Sequence, residues 1–149
     1  MNKSANTAKF YLILWVGCVQ ILHFIALTRA AYHYLITGKI GFPAPPPTID
    51  WNPQTINFLL GCGITDSILI LLTIYFVMTY FFKGYMNITI GLLSMTGSVA
   101  TALVFAIGTV PTGAWTVHPW SYGIMSILFT PFVILLYILI QQSLLLKNK

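Results

Sequence analysis

The feature that most constrains this chain is the length of its apolar stretches. Four of them, at about residues 10–29, 56–80, 88–110 and 121–142, approach or exceed the ~20 residues that a transmembrane helix needs. Only 6% of the 149 residues are charged, whereas about 25% are charged in a soluble domain. The sequence therefore predicts an all-α polytopic membrane protein, folded as one domain (residues 1–149) with four transmembrane helices in a bundle.

The composition also excludes several classes of function. The net charge of +5 comes from scattered basic residues without a Lys/Arg run, so no nucleic-acid partner is expected. Cys18 and Cys62 lie in separate apolar stretches and form no CxxC pair, which argues against a disulfide framework. His23, His33 and His118 lie in three different segments, and zinc-ligand spacing is absent. We expect no metal and no cofactor.

The distribution of basic residues predicts the orientation in the membrane. Lys3, Lys9, Lys83, Lys147 and Lys149 belong to the two tails and the second loop, whereas Arg29 and Lys39 belong to the first loop. Because Lys and Arg concentrate on the cytoplasmic side, both termini are expected to be cytoplasmic. The membrane would be the endoplasmic reticulum in a eukaryote and the inner membrane in a bacterium.

The connection at residues 30–54 is the only long one, and its first residues, 30–36, could extend the first helix or lie along the membrane interface. Three consecutive prolines (residues 45–47) exclude a helix there and favour an extended polyproline II segment. Trp51 suits the headgroup layer, as do Trp115 and Trp120 in the loop before the fourth span. We expect the first connection to form an ordered cap over the bundle; the alternative is a plain linker.

The second span carries Asp66, one of only two acidic residues in the chain. A charged side chain within a membrane span costs ~2.5–3.5 kcal/mol on insertion scales and indicates a functional site by default. An ionised Asp66 would need a cationic partner, for which His23 and Arg29 are the candidates; otherwise it stays in its neutral form. The alternative is that Asp66 only hydrogen-bonds a neighbouring helix and stabilises the bundle.

Polar residues of different spans are predicted to share one depth. At 1.5 Å per residue, His23 lies roughly 9 Å and Asp66 roughly 14 Å inside the outer boundary. Gln20 lies on the same face as His23, and Thr101 and Thr130 reach similar depths in the third and fourth spans. Polar groups concentrated in one leaflet beneath two aromatic loops predict a pocket and argue against a through-channel.

The third span contains small residues that recur every three or four positions, namely Gly91, Ser94, Gly97, Ser98 and Thr101. Such residues let neighbouring helices approach closely. They favour tight packing, and the same span is a candidate surface for a homodimer.

Several local features resemble one known family. They are His23 in the first span, Asp66 before the basic exit Phe82-Lys83-Gly84, Asp50 in the capping segment, His118-Pro119 before the last span and Pro131 within it. With the four-span arrangement, they resemble the emopamil-binding-protein (EXPERA) superfamily, which includes sterol Δ8–Δ7 isomerase and the sigma-2 receptor. The chain departs from the family at the first-span acid, where Ala26, Leu27 and Thr28 stand instead.

This resemblance implies an intramembrane pocket for a sterol-like or cationic amphiphilic molecule. Asp66 and His23 are then the candidate catalytic residues of an isomerase that moves a carbon double bond by proton transfer. The predicted ligand-binding residues are Asp50, Gln20, Thr101, Thr130, Trp51, Trp115 and Trp120. The competing hypothesis is a non-catalytic accessory or structural subunit of a larger membrane complex, in which the Ser94/Ser98 stripe packs against a partner.

Overall fold

The computed structural model describes the chain from Lys3 to Lys147, and the described part is helical with no strand. Its elements are α1 (Lys3–Thr37), α2 (Pro53–Lys83), α3 (Ile88–Thr109), a 3₁₀ turn (Val110–Thr112), the short α4 (Ala114–Val117) and α5 (Pro119–Lys147). Four helical segments are long and apolar enough to cross a membrane: Thr7–Thr37, Pro53–Lys83, Ile88–Thr112 and Pro119–Leu146. The predicted all-α fold with four spans is confirmed.

Local sequence signals set the helix ends. The side chain of Asn52 accepts a hydrogen bond from the backbone nitrogen of Thr55 at 2.8 Å, and Pro53 occupies the first helical turn, where its missing N–H costs nothing. Gly84 ends α2 in the left-handed conformation (φ 72°), which a residue without Cβ adopts freely. Asn87 caps α3 in the same way as Asn52 caps α2. The tight turn between α2 and α3 follows from these residues.

The long helices form a ring in which α1 packs on α2, α2 on α3, α3 on α5 and α5 on α1. We call the end that carries residues 38–52 and α4 the cap end, and the other the terminal end. The terminal half holds an apolar core of fully or nearly fully buried side chains: Ile13, Val16, Val19, Phe76, Met95, Phe132, Leu135 and Leu139. A second cluster at the cap end contains Trp51, Leu59, Ala114 and Tyr122.

The end of the first helix differs from the sequence-based boundary. The first helix continues through Thr37 and does not end at Arg29, so the irregular connection is residues 38–52 and not 30–54. The continuation contains Ala30, Ala31 and Leu35, which favour a helix, and Gly38 follows it with φ 71°. The last helix contains Pro131, as the span predicted at 121–142 does, and Thr130 donates its hydroxyl hydrogen to the Ser126 carbonyl at 3.1 Å.

The small residues of α3 pack inside the bundle. Gly91, Ser94, Ser98 and Thr101 are all buried. A Cβ added to Gly91 would lie 2.7 Å from the ring of Phe76, so α2 and α3 approach closely only because this position has no side chain. The stripe is therefore covered within one chain. The surface that α3 leaves exposed contains Leu103, Val104 and Ile107 instead.

Candidate functional site

Residues 38–52, which we call the cap, are fixed to the bundle through backbone carbonyls. Proline has no N–H to donate, so this proline-rich segment offers chiefly acceptors. The Tyr122 hydroxyl donates to the Pro45 carbonyl at 2.8 Å, and His118 Nε2 donates to the Pro46 carbonyl at 3.0 Å. Within the cap, Trp51 Nε1 donates to the Ala44 carbonyl at 3.0 Å. These bonds hold the cap as an ordered cover over the cap end.

Beneath the cap lies a cavity of about 260 Å³. Its walls come from all four long helices, from Trp115 of α4 and from the cap residues Ile40, Pro43 and Ala44. Most lining side chains are apolar, including Leu27, Leu59, Leu60, Ile64, Phe105, Met125 and Phe129. The polar ones are His23, Tyr34, Asp66, Ser67, Tyr122 and Ser126. We call this space the His23–Asp66 cavity.

His23 of α1 and Asp66 of α2 face each other across it. His23 Nε2 lies 3.8 Å from Asp66 Oδ2, and the two side chains are 13% and 21% exposed. This distance exceeds that of a direct hydrogen bond. One oxygen or nitrogen atom beside the pair could bond both. Two hydrogen bonds of ~2.8 Å that meet at this atom at an angle span the 3.8 Å between Nε2 and Oδ2. The Phe129 ring meets the His23 ring edge-on at 5.3 Å and holds its orientation.

The two serine hydroxyls of the cavity already donate to backbone carbonyls of their own helices. Ser67 donates its hydroxyl hydrogen to the Gly63 carbonyl at 2.8 Å, and Ser126 donates to the Tyr122 carbonyl at 3.0 Å. The cavity wall contains no Lys or Arg. Within the described residues, Asp66 has no direct protein hydrogen bond. The His23–Asp66 pair and the Tyr34 hydroxyl are therefore the polar groups that remain for a bound molecule.

Gln20 lies one turn from His23 towards the terminal end and is outside the cavity wall. Its side chain is 1% exposed. Its amide nitrogen donates to Thr73 Oγ1 at 3.4 Å and to Ser98 Oγ at 3.5 Å. Gln20, Thr73 and Ser98 thus form a buried polar layer between the cavity and the apolar core of the terminal half.

The three tryptophans that were predicted to bind the ligand lie in different parts of the structure. Trp115 lines the cavity, stacks on Tyr122 with ring centroids 4.9 Å apart and donates to Thr109 Oγ1 at 2.9 Å. Trp51 is buried in the second core cluster and anchors the cap without reaching the cavity. Trp120 is 82% exposed on the outside of the bundle.

The remaining predicted ligand-binding residues also lie outside the cavity. Asp50 forms a surface ion pair with Lys39 at 2.7 Å. Thr101 borders a shallow groove between α2 and α3 and bonds the Gly97 carbonyl of its own helix. Thr130 is exposed and bonds Ser126. Of the nine predicted site residues, the cavity brings together His23, Asp66 and Trp115.

Several cavity residues were missed from the sequence. Tyr34 lies in the part of α1 beyond Arg29, which was predicted to be loop. Tyr122, Met125 and Phe129 line the cavity from α5, at spacings of three and four residues that place them on one face. The spacing places these three residues on one face. In a membrane span, however, an apolar face can point to lipid as well as to the interior, so the sequence does not show that this face lines a cavity.

Among the described residues, no three His, Cys, Asp or Glu side chains come together as a metal site. No protein-family model matches the chain, and neither a curated protein nor a solved structure matches it.

Proposed function

We propose that this integral membrane protein binds one sterol-like or cationic amphiphilic molecule in the His23–Asp66 cavity. The observation that carries the proposal is that one acid and one imidazole face each other in an otherwise mostly apolar cavity inside the bundle. A mostly apolar cavity with a few convergent polar groups is the usual form of a small-molecule site.

The size of the cavity supports an amphiphile that is only partly enclosed. Pockets for small molecules typically measure about 300–1,000 Å³, and this cavity measures about 260 Å³. One of its lining residues, Ile64, is 67% exposed on the outside of α2. A ligand can therefore place its polar end beside Asp66 and leave the rest of its apolar body in the bilayer.

The charges of the wall favour a neutral or cationic polar end. The cavity contains a carboxyl group and no Lys or Arg, so an anionic headgroup would lack a counter-ion. The stacked rings of Trp115 and Tyr122 offer an aromatic surface that attracts a cation.

The same geometry supports an isomerase-type reaction on a sterol or lipid double bond. Asp66 in its carboxylic acid form would transfer its proton to one carbon of the double bond. The positive charge then lies on the other carbon of the double bond, and His23 would remove a proton from the carbon next to that one, so that the double bond moves by one position and the ligand's composition is unchanged. Returning the proton from His23 Nε2 to Asp66 Oδ2, 3.8 Å away, would restore the site.

The accessory-subunit alternative is less well supported. Its expected contact surface was the Ser94/Ser98 stripe, which is buried against the chain's own helices. A homodimer through α3 would have to use the exposed residues Leu103, Val104 and Ile107. Residence in the endoplasmic reticulum or in a bacterial inner membrane remains part of the proposal.

The two acids of the chain give a matched test. Purified protein is titrated with cholesterol and with a tertiary-amine amphiphile, and binding is followed by thermal stabilisation and native mass spectrometry. A ligand at 100 times its Kd stabilises the folded state by ~2.7 kcal/mol. Asp66→Asn should weaken binding of the probe at least tenfold, whereas Asp50→Asn, on the surface, should not. Equal binding by both variants removes Asp66 from the site.

The reaction is tested separately. A Δ8-sterol is incubated with the protein in D₂O, and product is analysed by mass spectrometry. A shifted double bond with one deuterium gained supports proton transfer at the site, provided that Asp66→Asn abolishes it. Tight binding of the same sterol without conversion identifies a binding protein and not an isomerase.

A further inference from the structure

The orientation of the Gln20 amide follows from its neighbour Thr73. The Thr73 hydroxyl donates its only hydrogen to the Leu69 carbonyl at 2.8 Å. Towards Gln20 the Thr73 oxygen can therefore only accept, so the amide nitrogen of Gln20 must face it. The same nitrogen faces Ser98. The carbonyl oxygen of the amide, Oε1, is consequently turned away from both hydroxyls.

Two buried side-chain atoms have no hydrogen-bond partner among the described residues, and they are Gln20 Oε1 and His23 Nδ1. Their residues are three apart on α1, hence on the same face and one turn apart, with Cβ atoms typically about 5–6 Å from each other. Buried polar atoms without partners are rare and destabilising. Oε1 can only accept a hydrogen, whereas Nδ1 can carry one or not. The two atoms can satisfy each other only when the hydrogen is on Nδ1.

The two atoms do not bond each other in the arrangement that the structure shows. We propose that a rotation of these side chains joins them, so that Gln20 is a positioning residue that accepts the Nδ1 hydrogen of His23 and fixes the ring in its Nδ1–H tautomer. The second nitrogen, Nε2, is then bare where it faces Asp66 and the cavity. Gln20 itself touches no ligand, since it lies outside the cavity wall. It acts through His23.

This inference has a consequence for the ligand, and that consequence rests on the proposed function. A bare Nε2 opposite Asp66 needs a hydrogen-bond donor, and no protein donor lies between them. A hydroxyl or a protonated amine that lies beside the two atoms, which are 3.8 Å apart, would donate to Nε2. The site should therefore prefer ligands whose polar end carries such a hydrogen over analogues in which it is capped.

The test reads the tautomer directly. Protein with ¹⁵N-labelled histidine is placed in lipid nanodiscs, in a His33→Gln background that leaves His23 and His118. Ring-nitrogen NMR should find His23 as Nδ1–H. His118 provides an internal reference for the opposite tautomer, because its Nε2 donates to the Pro46 carbonyl. Finding His23 as Nε2–H in the unaltered site overturns the inference.

The role of Gln20 is tested by Gln20→Met, which keeps the side chain's length and removes the acceptor. We expect at least half of His23 to shift to Nε2–H. Ser94→Ala, another buried polar position whose hydroxyl bonds only within α3, should leave the tautomer unchanged. An unaltered tautomer in a folded Gln20→Met variant overturns the inference.

A measurement without a variant covers the case in which Gln20→Met does not fold. Dipolar coupling between the Nδ1 hydrogen of His23 and the side-chain carbonyl carbon of Gln20 should correspond to hydrogen-bonding distance; no detectable coupling contradicts the assignment.

For the ligand, cholesterol should bind about tenfold more tightly than its methyl ether. Equal binding of the two overturns the donor preference. If neither sterol binds and the tertiary-amine amphiphile does not bind either, the proposed function fails, while the NMR result for Gln20 is unaffected.

Discussion

The hydroxyl of Tyr122, a fully buried residue of α5, donates a hydrogen bond to the backbone carbonyl of Pro45 at 2.8 Å. This bond joins the fourth span directly to the cap, and the same ring stacks on Trp115. Tyr122 thus supports the cover of the cavity and one of its walls at once.

Tyr122→Phe should loosen the cap while leaving the bundle folded. The variant keeps the stacked ring and loses one hydrogen bond, which is worth about 1 kcal/mol. Hydrogen–deuterium exchange of residues 38–52 should accelerate. Tyr137→Phe, at an exposed tyrosine of the same helix, is the control and should change neither exchange nor stability. Unchanged exchange in Tyr122→Phe would show that His118 and Trp51 hold the cap without it.

Gly91→Ala should destabilise the bundle. The added Cβ would lie 2.7 Å from the Phe76 ring and 3.0 Å from Leu139, and both side chains are fully buried. Overpacking of this kind costs ~1–3 kcal/mol. Unfolding in a denaturing detergent measures the loss.

Gly123→Ala is the matched control, because no atom lies within 4 Å of its added Cβ. Alanine also favours a helix over glycine by ~1 kcal/mol. This variant should be as stable as the original chain or more so. If Gly91→Ala is as stable as Gly123→Ala, the contact with Phe76 does not limit the side chain at this position.

The four spans could be predicted because apolar length is a property of the sequence alone. The proximity of His23 and Asp66 followed from their depths, and the structure places them 3.8 Å apart. That estimate survived wrong boundaries, since α1 extends to Thr37 and α2 begins at Pro53. The first change moves His23 ~12 Å deeper and the second moves Asp66 ~4.5 Å deeper, so the two residues lie nearer to one level than the estimate placed them.

The other binding residues depend on rotation about the helix axes, which depth does not determine. Thr130 and Trp120 were placed at plausible depths, yet both side chains are exposed on the outside of the bundle. Gln20 lies on the predicted face, but one turn below the cavity, where Thr73 and Ser98 engage its amide. In a membrane span, apolar residues occupy the interior and the surface alike, so the hydrophobic pattern cannot identify the inward face.

The orientation of the protein in its membrane is predicted from its Lys and Arg residues. In a Cys18→Ser, Cys62→Ser background, a cysteine at Lys83 should react with an impermeant maleimide only from the cytoplasmic side. A cysteine at Ile49, which is 89% exposed in the cap, should react only from the opposite side. Labelling of Lys83→Cys from the opposite side would invert the topology and place the cap in the cytoplasm.

Filling the cavity should reduce ligand retention without unfolding the protein. Ala102 lines the cavity from α3, whereas Ala100 of the same helix is exposed outside it. Ala102→Leu should occupy part of the 260 Å³ and lower the amount of copurified lipid, measured by native mass spectrometry. Ala100→Leu adds the same atoms at the surface and should retain lipid normally. Equal retention by both would place the bound molecule elsewhere.

Cys62 should report whether the cavity is occupied. It is a free thiol that lines the cavity one turn from Asp66, while the other cysteine, Cys18, is exposed on α1. In a Cys18→Ser background, a small methanethiosulfonate reagent should modify Cys62 slowly, because the residue is 8% exposed. A saturating amphiphile should slow the reaction at least tenfold if it binds beside Asp66. Asp66→Asn should remove that protection, measured within each variant as the ratio of the rates with and without the amphiphile. Protection that persists in Asp66→Asn would show that the amphiphile covers Cys62 without using the carboxyl group.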